Sequence, residues 1–138
     1  MRIIYLILAV LVVSCASPKQ QPVVVLEQHA DSPPNVCNDL VAAINHGDWA
    51  KLRALAKPGT AASESTNAWE QAMKAGHPVQ VGKFLNVQTV AAESKKPYKL
   101  YSFALENKDG TVNPHWLQIK VQEEHGQPEV QDFWIFGW

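Results

Sequence analysis

The hydrophobic pattern of the chain changes its period once, around His77-Pro78, and this change limits the folds open to it. Before that point, three stretches space their apolar residues three or four positions apart, as amphipathic helices do. After it, apolar and polar residues alternate, which is typical of strands with one buried face. The order predicts an α+β fold in which N-terminal helices pack on a curved four-stranded antiparallel sheet.

Local signals set the expected helix boundaries. A first helix is predicted from Ser32-Pro33-Pro34 to Gly47, because serine can cap a helix, proline suits its first turn and glycine suits its end. Asp48 is expected to cap a second short helix, and a third is expected to start between residues 63 and 67. Cys37 falls in the apolar stripe of the first helix, so it is predicted to be a buried, unreactive thiol.

Turn signals divide the second half into four strands. Turns are predicted at Glu93 to Pro97, at Asn107 to Gly110 and at Glu124 to Gly126. The last strand, Val130 to Phe136, is apolar on both faces near its end. In the other three strands the residues expected to face the core are Val79, Val81, Leu85, Val87, Tyr101, Phe103, Leu105, Leu117, Ile119 and Val121.

The N-terminus carries a short apolar run from Ile3 to Val13, after Met1 and Arg2. Eleven residues are too few for a membrane-spanning helix, which needs roughly 20, but they fit the apolar core of a signal peptide. The end of the run, Val12-Val13-Ser14-Cys15, resembles the lipobox of bacterial lipoproteins, with valine in place of leucine and serine in place of glycine or alanine. The alternative is an ordinary secretory signal with an incidental cysteine.

The lipobox resemblance implies a processed, lipid-anchored chain. Cys15 would receive a diacylglyceryl group, the peptide would be cut before it, and the new amine would take a further acyl group such as palmitate, which anchors the protein to the membrane. Ala16 and Ser17 differ from the aspartate that retains such proteins at the inner membrane, so the outer membrane, facing the periplasm, is expected. Residues 1–14 are then the signal peptide, 15–33 an extended tether and 34–138 one domain, with the run Val23 to Leu26 as an alternative edge strand.

The charge of the chain argues against nucleic acid as a partner. Of 12 lysines and arginines, cleavage would remove Arg2, which leaves 12 − 1 = 11 basic against 13 acidic residues and Arg53 as the only arginine. Phosphate recognition usually recruits arginine and a basic surface. The chain also lacks the local spacings of a zinc site or a nucleophilic hydrolase, so no cofactor or metal is expected.

The layout of the domain resembles the nuclear transport factor two-like superfamily, whose α+β cone is shared with ketosteroid isomerase. The segment from Leu40 to Leu52 is similar to its first helical hairpin, and His115 to Val121 and Val130 to Ile135 are similar to its last two strands. The resemblance covers about residues 34 to 138. A cystatin-like fold, which often serves inhibitors, is the nearest alternative.

The isomerase resemblance implies a catalytic aspartate with tyrosine partners, and Asp132 with Tyr98 and Tyr101 are the candidates here. Apolar neighbours would desolvate Asp132. The alternative is that strand parity points Asp132 to the rim or an edge of the sheet. Such an enzyme would also require the three side chains to converge.

Aromatic residues concentrate near the C-terminus, where they form either plain core or a ligand pocket or partner surface. The expected role is a non-enzymatic binding or scaffold module of the envelope that engages a protein partner or an apolar small ligand, for example an accessory of a secretion or conjugation machine. One alternative is an inhibitor or immunity protein that projects a rigid loop at Glu93 to Pro97 or at Asn107 to Gly110; another is an isomerase-like enzyme using Asp132. The candidate ligand or partner residues are Trp116, Asp132, Trp134 and Trp138.

Overall fold

The computed structural model describes residues 23–25, 32–76, 79–92 and 95–136. Three helices precede four long strands, so the predicted α+β order is confirmed. The elements are β1 (Val23–Val25), α1 (Asn35–His46), α2 (Trp49–Leu55), α3 (Ala61–Lys74), β2 (Val79–Ala92), β3 (Lys95–Asn107), β4 (Val112–Glu124) and β5 (Gln127–Phe136).

The strands form one antiparallel sheet in chain order, β1-β2-β3-β4-β5, which confirms the predicted meander. The short strand β1 joins its edge by pairing with β2, with Val24 opposite Val90. The valine run is therefore an edge strand, the alternative considered for it, while most of the predicted tether lies outside the described residues. Strand β5 forms the other edge, and α3 packs beside it.

The end of α1 and the start of α2 lie where the sequence predicts them, whereas the predicted cap at the start of α1 is not formed. Gly47 ends α1 in the left-handed conformation, with a φ of 66°, and Asp48 Oδ1 accepts a 3.0 Å hydrogen bond from the Lys51 amide at the start of α2. The expected cap at Ser32 is wrong, because α1 begins only after Pro34, which has no side-chain hydrogen bond to offer.

Helix α3 begins at Ala61, earlier than the predicted start between residues 63 and 67. The hydroxyl of Thr60 donates a 2.6 Å hydrogen bond to the Lys57 carbonyl, and the Thr60 amide donates a second bond to the same oxygen. This tight turn lies between α2 and α3, and α3 begins at the residue that directly follows Thr60.

The core lies between the helices and one face of the sheet. Cys37 is fully buried within it, as predicted, and burial raises the pKa of its thiol from 9.0 to about 12, because a thiolate would lose its hydration there. The other large side chains with less than 2% of their surface exposed are Leu40, Ile44, Leu52, Leu105, Leu117, Ile119, Val130 and Phe133.

Strand β2 breaks the predicted alternation at Leu85, which was expected in the core and is 45% exposed. The pairing of β2 with β3 shifts register twice between Val81 and Asn86. Each shift changes which face of the sheet the following side chains point to. Phe84 packs inward instead, with its ring centroid 5.6 Å from that of Phe103.

Two of the three predicted turns are confirmed in position, although their first residues, Asn107 and Glu124, still belong to the preceding strands. Residues 107–110 form the β3–β4 turn, and His125 and Gly126 connect β4 to β5 with positive φ angles of 52° and 76°. The turn predicted at Glu93 to Pro97 is too long, because β3 already begins at Lys95, which pairs with Ala92 of β2.

The side chain of Asn45, on α1, forms hydrogen bonds with backbone groups at the edge of β2. The Val81 amide donates a 2.8 Å hydrogen bond to Asn45 Oδ1, and Asn45 Nδ2 donates a 2.9 Å bond to the Val81 carbonyl. The amide and carbonyl of Val81 thus point away from β3, as they do at a non-hydrogen-bonded pair of an antiparallel sheet. At this position Asn45 forms the hydrogen bonds that a strand on the other side of β2 would otherwise form. This contact fixes the end of α1 against the sheet.

Candidate binding cleft

An apolar cleft of about 240 Å³ opens between α3, the edge strand β5 and the start of β2. Among the described residues that line it, Ser65 supplies the one hydroxyl group and none carries a charge. The residues that line it are Ser65, Ala68, Trp69, Ala72, Met73, Val79, Phe133, Trp134 and Ile135.

The cleft exists because one face of α3 carries small side chains. Ser65, Ala68 and Ala72 follow the spacing i, i+3 and i+7, which places them along one helix face. Trp69 and Met73 lie together on the adjacent helix face and pack against the core. The small residues beside these two large ones leave a gap that the neighbouring strand does not fill.

Strand β5 supplies the opposite wall. Phe133 is fully buried and Ile135 shares its face, so these two residues hold the wall against the core. Trp134 alternates with them along the strand, yet it also lines the cleft, because β5 is the edge strand and α3 packs beside it. Trp134, a predicted binding residue, therefore lies at the cleft.

Asp132 reaches the cleft indirectly, through Ser65. Ser65 Oγ donates a 2.9 Å hydrogen bond to Asp132 Oδ1, and the same oxygen accepts a 2.8 Å bond from the Phe133 amide. Asp132 is half-buried and belongs to the edge strand, which is the alternative position considered for it. Within the ranges that the structure describes, Asp132 makes no ion pair.

The three side chains of the isomerase hypothesis do not share one face. Asp132 is opposite Lys120 on β4, whereas Tyr101 is opposite Ile119, the adjacent position, so Tyr101 faces the core and Asp132 does not. Tyr98 carries the Lys120 ammonium 4.4 Å above its ring centroid. The structure thus brings Asp132 to Ser65 rather than to a pair of tyrosines.

Trp116 lies away from the cleft, although it was grouped with Trp134 in the sequence. It is adjacent to the buried Leu117 and so faces the other side of the sheet, where it stacks on Phe136 with ring centroids 4.5 Å apart. Phe136 remains 47% exposed. The fourth candidate, Trp138, and the lipid attachment candidate, Cys15, lie outside the described residues.

The helical half of the cleft was not singled out from the sequence. Trp69 and Met73 fit the apolar stripe of a helix, a pattern that indicates ordinary core packing. The signal that could have indicated an opening is the run of small residues at positions 65, 68 and 72, on the face next to this stripe.

Other features of the described residues give no further chemistry. They contain no group of three histidine, cysteine or acidic residues placed to hold a metal ion, and none of their helices is long and apolar enough to cross a membrane. A second hollow, of about 470 Å³, lies at the opposite end of the sheet beside Pro34, Tyr98 and Lys99, with a more polar lining.

No protein-family model, curated protein or solved structure matches the chain. The lipobox and the nuclear transport factor two-like layout therefore stay predictions from the sequence.

Proposed function

We propose that this chain is a lipoprotein of the bacterial envelope, anchored through Cys15 and facing the periplasm, whose domain is a non-enzymatic binding module. The cleft between α3 and β5 is the binding site, and it accepts one compact apolar group. The motif Val12-Val13-Ser14-Cys15 supports the anchor, and the cleft supports the binding role.

The cleft carries the proposal because its described walls are apolar and two of its aromatic side chains, Trp69 and Phe133, are buried in the core. Water in such a space gains few hydrogen bonds, so an apolar occupant is favoured by about 25 cal/mol for each Å² of apolar surface that it buries. Sites for drug-sized ligands typically measure about 300–1,000 Å³, so a cleft of about 240 Å³ suits a smaller molecule or one large side chain.

The arrangement around Asp132 favours binding over catalysis. Its Oδ1 already accepts hydrogen bonds from Ser65 and from the Phe133 amide, and Tyr101 is part of the core. An isomerase of this type needs its aspartate and tyrosines around one substrate, and Asp132 is instead held beside Ser65.

Site-specific photocrosslinking in the intact envelope tests the binding role. A photoreactive benzoylphenylalanine replaces Ala68, which is exposed and lines the cleft, and in a matched control it replaces Ala50, which is exposed on α2. We expect a discrete adduct from position 68 and none from position 50. Intact mass spectrometry separates a small-molecule adduct from a protein adduct, and equal labelling of both positions would refute the cleft as a binding site.

The anchor has its own test. Cys15→Ala removes the thiol that would be acylated, so the variant should lose metabolic palmitate label and leave the membrane fraction. The matched variant Cys37→Ala removes the buried thiol and should keep both the label and the membrane fraction. Unchanged membrane partition of Cys15→Ala would refute the lipoprotein proposal.

A second candidate function, inhibition of a periplasmic enzyme or toxin, is supported by the β3–β4 turn. The Asn107 amide donates to the Thr111 carbonyl at 3.1 Å, and Asp109 Oδ1 accepts from the Thr111 amide at 2.9 Å and from the Thr111 hydroxyl at 2.6 Å. Asn113 Nδ2 adds a 3.0 Å bond to Asn107 Oδ1. A rigid exposed turn loses little conformational entropy when it inserts into a partner.

The two candidate functions separate by position. An inhibitor should yield a one-to-one protein adduct from a photoreactive residue at Lys108, the exposed tip of the turn, and should yield none from Ala68. Asp109→Ala, which removes the turn's bracing, should weaken that adduct. An adduct at position 68 alone would exclude this second function.

A further inference from the structure

We infer that the cleft between α3 and β5 selects a small neutral aromatic molecule with one hydrogen-bond donor, of the indole or phenol type, and that Ser65 Oγ accepts that donor. The inference rests on the proposed binding function and specifies the ligand class. It depends on the direction of the hydrogen bond between Ser65 and Asp132, on the negative charge of the Asp132 carboxylate and on the size of the cleft.

The single proton of the Ser65 hydroxyl is already committed. An ionised carboxylate can only accept hydrogen bonds, so the 2.9 Å contact between Ser65 Oγ and Asp132 Oδ1 requires Ser65 to donate. What Ser65 offers to the cleft is then its remaining lone-pair capacity. A ligand that carries an N–H or O–H group satisfies this acceptor, and a ligand with only acceptors does not.

The charge behind Ser65 excludes anionic ligands. No ion pair compensates the Asp132 carboxylate among the described residues, and the ammonium of Lys120, on the neighbouring strand, lies over the ring of Tyr98. A fatty acid or benzoate carboxylate placed near Ser65 would meet this negative charge without a cation. An ammonium would be attracted by the same carboxylate but would lose its hydration among the apolar walls, where Ser65 is the one hydroxyl of the described lining, so a neutral donor fits best.

Size and shape point to a ring. A dry apolar cavity of roughly 150 Å³ holds benzene, so a cleft of about 240 Å³ has room for a bicyclic ring of indole size. Trp69, Phe133 and Trp134 line the cleft, and aromatic rings pack favourably against one another in offset or edge-to-face geometry.

The Met73 methyl group provides a reporter inside the cleft, since the chain has two methionines, Met1 and Met73. The full chain is labelled with ¹³C-methyl methionine and titrated with indole, 1-methylindole and benzoate. We expect indole to shift the Met73 signal with an affinity about tenfold higher than that of 1-methylindole, which lacks the donor, and benzoate to give no shift. In Ser65→Ala the preference for indole over 1-methylindole should fall to near one.

Matched leucine variants identify where the compounds bind. Ala72→Leu fills the cleft and should abolish the shifts, whereas Ala50→Leu, the same change on α2, should leave them intact. Equal affinity for indole and 1-methylindole, binding of benzoate, or an unchanged preference in Ser65→Ala would overturn this inference while leaving the binding function standing. Shifts that persist in Ala72→Leu, or no shift with any aromatic compound, would overturn the proposed function as well.

Discussion

Asn45 connects α1 to the edge of the sheet, and its replacement by alanine should destabilise the domain measurably. Its amide group forms two hydrogen bonds with the backbone of Val81, at 2.8 and 2.9 Å. Val81 is 3% exposed, whereas Asn45 itself is exposed, so removing the Asn45 side chain opens this part of the β2 edge to water. The Val81 amide and carbonyl, which point away from β3, would then lose their protein partner and exchange it for water.

The expected loss follows from the number of bonds. Each intramolecular hydrogen bond contributes about 1 kcal/mol net, so Asn45→Ala should lower the free energy of unfolding by about 2 kcal/mol. For a domain of this size such a loss lowers Tm by about 10 °C. Asn45→Asp should be at least as destabilising, because it keeps the acceptor for the Val81 amide but places a second carboxylate oxygen against the Val81 carbonyl.

Urea unfolding followed by circular dichroism measures these losses, with Asn38→Ala as the matched control. Asn38 lies on the same helix, is exposed and makes one long side-chain bond, 3.4 Å to the Pro33 carbonyl. Because both variants replace asparagine with alanine in α1, the change in helix propensity largely cancels between them. If the two variants differ by less than about 0.5 kcal/mol, Asn45 does not stabilise the edge in the way argued here.

Four further predictions concern the core and the β3–β4 turn. Phe133→Ala removes the largest fully buried side chain and should lower the free energy of unfolding by about 3–5 kcal/mol, and a loss below about 1.5 kcal/mol in urea unfolding would contradict its place in the core. The pKa of the Cys37 thiol lies 12 − 9 = 3 units higher in the folded protein than its ordinary value, so the reactive thiolate is about a thousandfold rarer there. Iodoacetamide should therefore label Cys37 at least about a thousandfold more slowly in folded than in urea-unfolded protein. Equal labelling rates would contradict the burial of Cys37. The same raised pKa makes the Cys37 contribution to stability complete below pH 9.0 and progressively lost as the pH rises towards 12, so alkaline unfolding should be shallower in Cys37→Ala. The Thr111 hydrogen bonds lower the pKa of Asp109 from its ordinary value of 3.8. The stabilisation of the turn by the Asp109 carboxylate should therefore be present above pH 3.8 and lost as the pH falls through the lowered pKa. NMR of the Thr111 amide should show this transition, and Asp109→Asn should abolish it.

Elements that depend on neighbouring residues in the chain were predictable from the sequence. The end of α1 at Gly47 and the start of α2 at Asp48 follow from local backbone chemistry, since one residue needs a positive φ and the other supplies a capping oxygen. The β3–β4 turn around Asp109 is equally local. The predicted start of α3 was wrong by a few residues, because the hydroxyl of Thr60 closes a turn on Lys57 and the helix begins directly after it.

Elements that depend on pairing across the fold were not predictable in the same way. Leu85 has the correct alternation for a core residue, but two register shifts with β3 turn it outward. Trp116 and Trp134 belong to one aromatic group in the sequence, yet only Trp134 lines the cleft, because it lies on the edge strand beside α3, whereas Trp116 stacks with Phe136.

By itself, the sequence determined the α+β order, because hydrophobic period and capping are local properties of the chain. It also identified Asp132 and Trp134 as residues of interest, but without their partners. Only the tertiary structure joined Ser65 to Asp132 across 67 positions, and Asn45 to Val81 across 36. Such contacts depend on which helix face meets which strand, and the cleft forms because small residues of α3 are placed opposite the free edge of β5.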